Sequence, residues 1–226
     1  MVTQKKLKEY LKKSVRKIRH RKGYGVHSPF AYNFITGVID EKLPYYAYHR
    51  LGILYKKCDL PFKVATLLFR VANYFHTRNI VEIGCDGGFS ILPCLVVDSR
   101  NRSCSLSTEE KSESAQHWLA SFRGCATRAS FMSEFLQIPT AKPFDMVILN
   151  EMPAGIDNET LIQWILAHTT ENAVIYARGV RLGQKLESLW DDLCDSEEIQ
   201  VTMDLYDYGL AMRRPRFFKQ HYIVSF

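Results

Sequence analysis

Glu82, Gly84, Asp86, Gly88 and Ser90 fall within one short stretch, Asn79-Ile-Val-Glu-Ile-Gly-Cys-Asp-Gly-Gly-Phe-Ser90. An apolar, β-branched run ends there in a polar glycine turn, and a second apolar run, Ile91 to Val97, follows. A strand, tight turn and helix are the expected structure. In an open α/β sheet a turn of this kind lies at the carboxyl end of a central strand, where ligands bind. Two phosphate-binding chemistries are excluded by residue type. A dinucleotide site needs G-x-G-x-x-G, but counting from Gly84 the second position holds Asp86 and the third holds Phe89. A carboxylate at that place repels a pyrophosphate. A P-loop needs a terminal Gly-Lys-Ser/Thr, which is absent. A plain strand–turn–helix corner without a ligand is the alternative.

The elements that would position these residues alternate along the chain. Strands are expected over 79–84, 103–108, 127–131, 145–149 and 173–177, with helices over about 90–97, 111–122, 159–168 and 182–194 between and after them. Such alternation implies a parallel sheet, and the strand-like runs 199–206, 210–214 and 221–226 imply an antiparallel closing edge. Upstream, Leu7, Leu11, Val15 and Ile18 recur at helical spacing within 4–20. Ser28 followed by Pro29 suits the cap and first position of a helix running to about Ile39. Residues 44–49 read as an aromatic connection and 61–75 as another helix. The expected division is 1–60, a basic helix and helical extension, and 61–226, the α/β domain.

The 226 residues are 46% hydrophobic, enough for a buried core. No apolar run is long enough to span a bilayer, and the basic N-terminus lacks the apolar stretch of a secretory signal. The six cysteines have no C-x-x-C spacing and suit reduced core thiols, so a cytoplasmic protein is expected. The net charge of +6 is unevenly placed. Residues 1–22 carry ten Lys or Arg and one acid, whereas the rest has twenty basic and twenty-three acidic residues. The basic arm is suited to packing with a solvated face, or to weak contact with an anionic membrane surface or with nucleic-acid phosphates.

The pattern Glu82-x-Gly84-x-x-x-Gly88-x-Ser90 resembles motif I of class I S-adenosylmethionine-dependent methyltransferases, most closely the small-molecule O-methyltransferase branch. Element order over roughly 62–226 matches as well. The segments Gly23-Tyr-Gly-Val-His-Ser-Pro-Phe30 and Lys219 to Phe226 are similar to a bacterial subgroup. The resemblance implies a Rossmann-like fold: a mostly parallel central sheet with antiparallel C-terminal strands, plus an N-terminal helical extension. It also implies S-adenosylmethionine as cofactor, whose ammonium and sulfonium tolerate nearby acids. By the same resemblance the backbone at Glu82 and Gly84 approaches its methionine part, Gly88 permits close contact as the helix starts, and Asp86 is assigned to the cofactor site. Ser90 and the free N–H groups of the next helix hold its carboxylate. Glu109 accepts from the ribose hydroxyls, with Glu110 competing, and both also suit a helix N-terminus. Ser130 and Phe131 belong to an adenine-contacting turn or to an ordinary strand end. Asn150 lies at the end of the fourth strand and is assigned to the cofactor site.

The resemblance also locates a departure. Similar metal-dependent enzymes carry an acid after strand four and an Asp-Asn pair after strand five. Here these are Asn150 and Arg178-Gly179, and an arginine repels a magnesium ion. No catalytic metal is expected. Arg178, Asn150 and Glu151 are the candidate catalytic residues. Arg178 either replaces the ion's charge, orienting an anionic nucleophile or a carboxylate substrate, or is a surface strand end; Glu151 is either a base or a solvated loop acid. His27 and the cluster Tyr45, Tyr46 and Tyr48 are candidates to cap the pocket, although His27 is more simply a helix-entry residue. The expected function is methyl transfer to a small-molecule oxygen or nitrogen without a metal. The alternatives are a binding protein that has lost activity and an RNA-modifying enzyme steered by the basic arm.

Overall fold

The computed structural model describes residues 27–181, 183–184 and 186–226. The expected helix over 4–20 and the basic arm 1–22 lie outside them. Seven α-helices and eight strands are present among the described residues. We number the helices α1 (Pro29–Phe34), α2 (Tyr48–Leu54), α3 (Phe62–Tyr74), α4 (Ile91–Val97), α5 (Glu109–Leu119), α6 (Asn158–His168) and α7 (Glu187–Asp195). The strands are β1 (Asn79–Ile83), β2 (Arg102–Leu106), β3 (Ala129–Met132), β4 (Phe144–Leu149), β5 (Thr169–Arg178), β6 (Val201–Asp204), β7 (Tyr208–Met212) and β8 (Gln220–Ile223).

All eight strands form one sheet in the order β3-β2-β1-β4-β5-β7-β6-β8. β1 to β5 run parallel, and β7 lies antiparallel between β5 and β6. The expected antiparallel closing edge needs one correction, because β8 pairs parallel to β6. The chain crosses over after β7, through residues 213–219, instead of turning straight back. Parallel strands covered on both faces read as continuous apolar runs, as Ile80, Val81 and Ile83 do. Glu82 is the charged exception in β1 and has no exposed surface.

The two sheet faces have separate cores. Ile80, Met146, Ile148, Val174 and Tyr176 pack under the helices from α1 to α4, together with Ala31, Phe34, Leu51 and Leu60 from the N-terminal segment. Val81, Ile83, Val147, Leu149 and Ile175 pack against α6 and α7 through Leu161, Ile165, Leu189 and Trp190. α4 contributes Ile91, Leu92 and Leu95, each essentially inaccessible. Burial of side chains of that size contributes about 1.5–3 kcal/mol each.

Helix entries follow their sequence signals. Ser28 caps α1, its Oγ accepting from the Ala31 N–H at 3.4 Å, with Pro29 in the first turn. Asp157 caps α6 in the same way through Thr160 at 2.8 Å. α1 continues to Ile39 as a π-helical turn. Arg70, from α3, donates to the carbonyls of Val38 and Ile39 at its end, at 2.5 and 3.2 Å. These carbonyls have no onward helix to bond to, so the buried guanidinium satisfies them.

Other boundaries move. β5 starts at Thr169 rather than 173, because its first turn of chain is polar. α7 starts at Glu187 rather than 182. The aromatic connection contains α2, and its tyrosines do not line the cavity at the carboxyl edge described below. Tyr46 donates to the Val96 carbonyl at 2.7 Å, while Tyr45 and Tyr48 pack edge-on against Phe69. His27 is exposed at the entrance to α1. All six cysteines are free, and Cys85, Cys94, Cys104 and Cys125 are buried. Among the described residues, no helix is long and apolar enough to cross a membrane.

Candidate active site

A cavity of about 450 Å³ opens at the carboxyl ends of β1, β4 and β5. It is lined by the turn after β1 (Gly84 to Gly87 and Phe89), by Asn150 and Glu151 after β4, and by Arg178 and Gly179 from β5. Lys111 and Ser114 of α5, Gln184 and Asp59 complete the wall. The volume lies within the range of small-molecule sites.

The turn is built by backbone stacking. Ile83 O accepts from the N–H groups of both Asn150 and Glu151, at 3.0 and 3.3 Å. This draws the chain after β4 across Gly84, where a Cβ would lie 2.7 Å from Glu151 Cβ. Gly84 also has φ +83°, a conformation that side chains disfavour. Gly88 has φ +84°, which side chains disfavour, and a Cβ there would lie in ordinary contact with Ala115 of α5 at 3.4 Å.

Asp86 changes the electrostatics of the turn. Its Oδ1 accepts from the Ser90 N–H at 3.1 Å and its Oδ2 from the Ser90 hydroxyl at 2.6 Å. The protein's own carboxylate therefore accepts from both donors of Ser90 that were expected to face the cofactor carboxylate. Burial raises the Asp86 pKa, while the Ser90 bonds and Arg178 oppose the rise. Arg178 Nη1 stands 3.6 Å from Asp86 Oδ2.

Glu82 lies beneath this turn. Asn150 Nδ2 donates to Glu82 Oε1 at 3.0 Å and to the Gly84 carbonyl at 3.1 Å. Burial, then the Asp86 charge, push the Glu82 pKa well above the usual carboxylate value. Glu82 Oε2, Asn150 Oδ1 and the Tyr176 hydroxyl are buried without a hydrogen-bond partner. Such groups are costly unless something completes them. Burial followed by Glu82 pushes the Cys85 thiol up to about 11, so it stays protonated at neutral pH and is a poor nucleophile. Glu151 pairs with Lys111 at 3.3 Å across the cavity mouth.

The structure thus brings Glu82, Gly84, Asp86, Asn150, Glu151 and Arg178 together. Glu109 is an exposed residue in the first turn of α5 and does not line the cavity, which receives Lys111 and Ser114 from that helix. Ser130 and Phe131 are inside β3, not in a turn after it. Ser130 donates to the Ser103 carbonyl at 3.1 Å and lines a separate cavity with Asn79, Arg102 and Lys142, toward the amino ends of the strands. Of the two expectations for these residues, the strand one matches their position: β3 ends at Met132, and Ser133 and Glu134 follow it. Reasoning from sequence also missed Tyr55, whose hydroxyl donates to the Phe89 carbonyl at 2.5 Å, and Asp59; no motif surrounds either. Among the described residues, no group of three or more His, Cys, Asp or Glu is placed to hold a metal ion.

No protein-family model matches the chain. No curated protein is similar to it in sequence. Solved structures do match. An O-methyltransferase from Bacillus cereus in complex with SAH superposes with a TM-score of 0.59 at 16% identity, over 79% of this chain and 96% of that one. The O-methyltransferase TomG from Streptomyces achromogenes, in complex with SAM and involved in tomaymycin synthesis, gives 0.57 at 20% identity, over 76% and 91%. The SAH-bound methyltransferase PaMTH1 from Podospora anserina gives 0.57 at 13% identity, over 82% and 96%.

The fold is that of the O-methyltransferases. Within this methyltransferase fold the cavity lies where the chain leaves β1 for α4, beside the strand-order reversal between β1 and β4.

Proposed function

We propose that the protein is an S-adenosylmethionine-dependent methyltransferase acting on a small-molecule oxygen or nitrogen, without a metal. The observation that carries this reading is the cavity at the carboxyl ends of β1, β4 and β5, with the unpartnered, buried acceptor Asn150 Oδ1 in its wall. Its lining suits a ligand that carries both charges. Asp59, Asp86 and Glu151 face a cation, and Arg178 and Lys111 face an anion. A phosphate ligand would meet three carboxylates.

When bound, S-adenosylmethionine supplies an electrophilic methyl group on a sulfonium. Transfer from it needs in-line placement and an unprotonated acceptor more than acid or base power. Asn150 and Asp86 offer acceptor oxygens to the amino-acid end. Gly84 keeps the turn flat against residue 151. Glu151 and Lys111 stand at the mouth, where an incoming acceptor would pass, and Glu151 is the carboxylate available there to take a proton.

One observation favours a second reading, a binding protein without turnover. Each of the three candidate catalytic groups already has a partner: Arg178 has Asp86, Glu151 has Lys111, and Asn150 has Glu82.

Calorimetric titration with S-adenosylmethionine and with S-adenosylhomocysteine tests the cofactor reading. Binding is expected for the wild type. A substitution that places a bulky ring at the cavity wall, Ser114→Trp, is expected to weaken it at least about tenfold with little change in melting temperature, because Ser114 is exposed. If neither compound binds, the cofactor reading fails. Methyl transfer from labelled cofactor to a panel of phenols, carboxylates and amines separates the two readings: turnover supports the enzyme, and binding with none supports the binding protein.

A further inference from the structure

The helix N-terminus that ordinarily receives an anion is already occupied in this chain. Ser90 gives both its N–H and its hydroxyl to Asp86, whose side chain is only 9% exposed. A second carboxylate brought to the same donors would face that fixed charge at close range. The ligand's carboxylate therefore needs another cation, and Arg178 is placed to supply it. The guanidinium lines the cavity and is 34% exposed. Its 3.6 Å approach to Asp86 is longer than the about 2.7–2.9 Å of a well-formed charge-assisted hydrogen bond. Its planar fork matches two carboxylate oxygens at once.

Strand register adds the complementary half. Leu149 pairs with Ala177, so the next residues, Asn150 and Arg178, leave adjacent parallel strands side by side. One presents a buried acceptor without a partner, Asn150 Oδ1. The other presents a cationic fork. An acceptor beside a fork is the complement of an α-amino-acid head, ammonium beside carboxylate.

We propose that Arg178 is the carboxylate anchor of the cofactor's amino-acid head, with Asn150 Oδ1 and Asp86 receiving the ammonium. This rests on the cofactor reading above. It assigns Arg178 to the cofactor, where the sequence alone left it either replacing a metal ion's charge to orient the substrate or as a surface strand end. It also explains why an arginine at the end of β5 is compatible with the site: its charge is answered by the ligand on one side and by Asp86 on the other.

The test compares S-adenosylhomocysteine with its decarboxylated counterpart, the same thioether carrying a propylamine. Wild type is expected to bind the carboxylate-bearing compound about ten- to hundredfold more tightly. Arg178→Ala is expected to erase that preference by weakening the first compound and leaving the amine within about twofold. Arg178→Lys, which keeps the charge but not the fork, is expected to restore part of it. Equal weakening of both compounds by Arg178→Ala, no weakening of either, or a wild type that does not distinguish them would overturn the assignment. So would intact binding with lost methyl transfer, which would return Arg178 to the acceptor. If wild type binds neither compound, the cofactor reading itself falls, and the proposal with it.

Discussion

Two cavities of this protein contrast in what their walls leave unfinished. The larger, about 690 Å³, lies between α7 and the β6–β8 edge and is lined by Arg181, Trp190, Asp191, Cys194, Asp204 and His221. Its polar side chains serve one another. Arg181 pairs with the fully buried Asp204, which also accepts from the Tyr206 N–H at 2.7 Å, and His221 Nδ1 is hydrogen-bonded to the Thr202 hydroxyl at 2.7 Å. Burial pushes the Cys194 thiol up to about 11. The smaller cavity, at the carboxyl edge, has in its lining Asn150, whose buried Oδ1 has no hydrogen-bond partner, and Arg178, 3.6 Å from Asp86. The smaller cavity, unlike the larger, sits at the topological switch point of the sheet, between β1 and β4.

Trp190→Ala should break the larger region without touching the smaller. The indole is 3% exposed, and truncating such a ring costs about 3–5 kcal/mol. A lowered denaturation midpoint with unchanged S-adenosylhomocysteine affinity in the folded fraction is expected. A parallel loss of affinity would show that the two regions are coupled.

Glu82→Gln sharpens the contrast through pH. Burial raises the folded-state pKa of Glu82 above its ordinary 4.5, so the native state holds this proton more tightly than the unfolded chain does. The associated stability is complete below about 4.5 and declines as pH rises toward the folded value. The amide imitates the protonated acid and has no such decline. The melting temperature of the variant relative to wild type should therefore climb as pH increases above 4.5. A difference independent of pH would mean that Glu82 does not retain its proton.

Lys111→Ala should have the smallest effect. Both partners of the Lys111–Glu151 pair are more than 40% exposed, and pairs of this kind contribute about 0.2–1 kcal/mol. Urea titration at low and high salt should show a loss within that range that shrinks with salt. A loss several times larger would make the pair a structural clasp across the mouth.

The sequence shows most clearly those parts in which one local rule decides the outcome. β1 and β4 are short apolar runs buried on both faces, and Ser28-Pro29 is a cap with a single mechanism. The glycine turn was legible as a turn between a strand and a helix because three consecutive constraints, strand, glycine and helix, converge on it. What remained hidden depends on contacts distant in sequence. The polar start of β5 is a strand only because β4 lies beside it. α2 lies in an aromatic stretch whose rings are claimed by Phe69 and Arg70. Ser130 was left between a turn and a strand end because a strand end cannot be fixed by composition alone. Asp86 was read as a ligand contact; its bonds to Ser90, four residues on, became visible only in the structure. Metal-site resemblance drew attention to Arg178 through what it replaced, and its neighbour Asp86 became visible only in three dimensions.

The Tyr55–Phe89 hydrogen bond bears on how the polypeptide can be cut. Tyr55 lies upstream of the first strand and is 4% exposed, with its ring edge-on to Trp118. Its phenol grips the backbone of the glycine turn, and Asp59, four residues on, forms part of the cavity wall. A version trimmed to begin at the α/β portion would lose this bond and the Asp59 part of the cavity wall, and a chimera grafting a foreign leader onto it would need to bring a phenol to the same carbonyl.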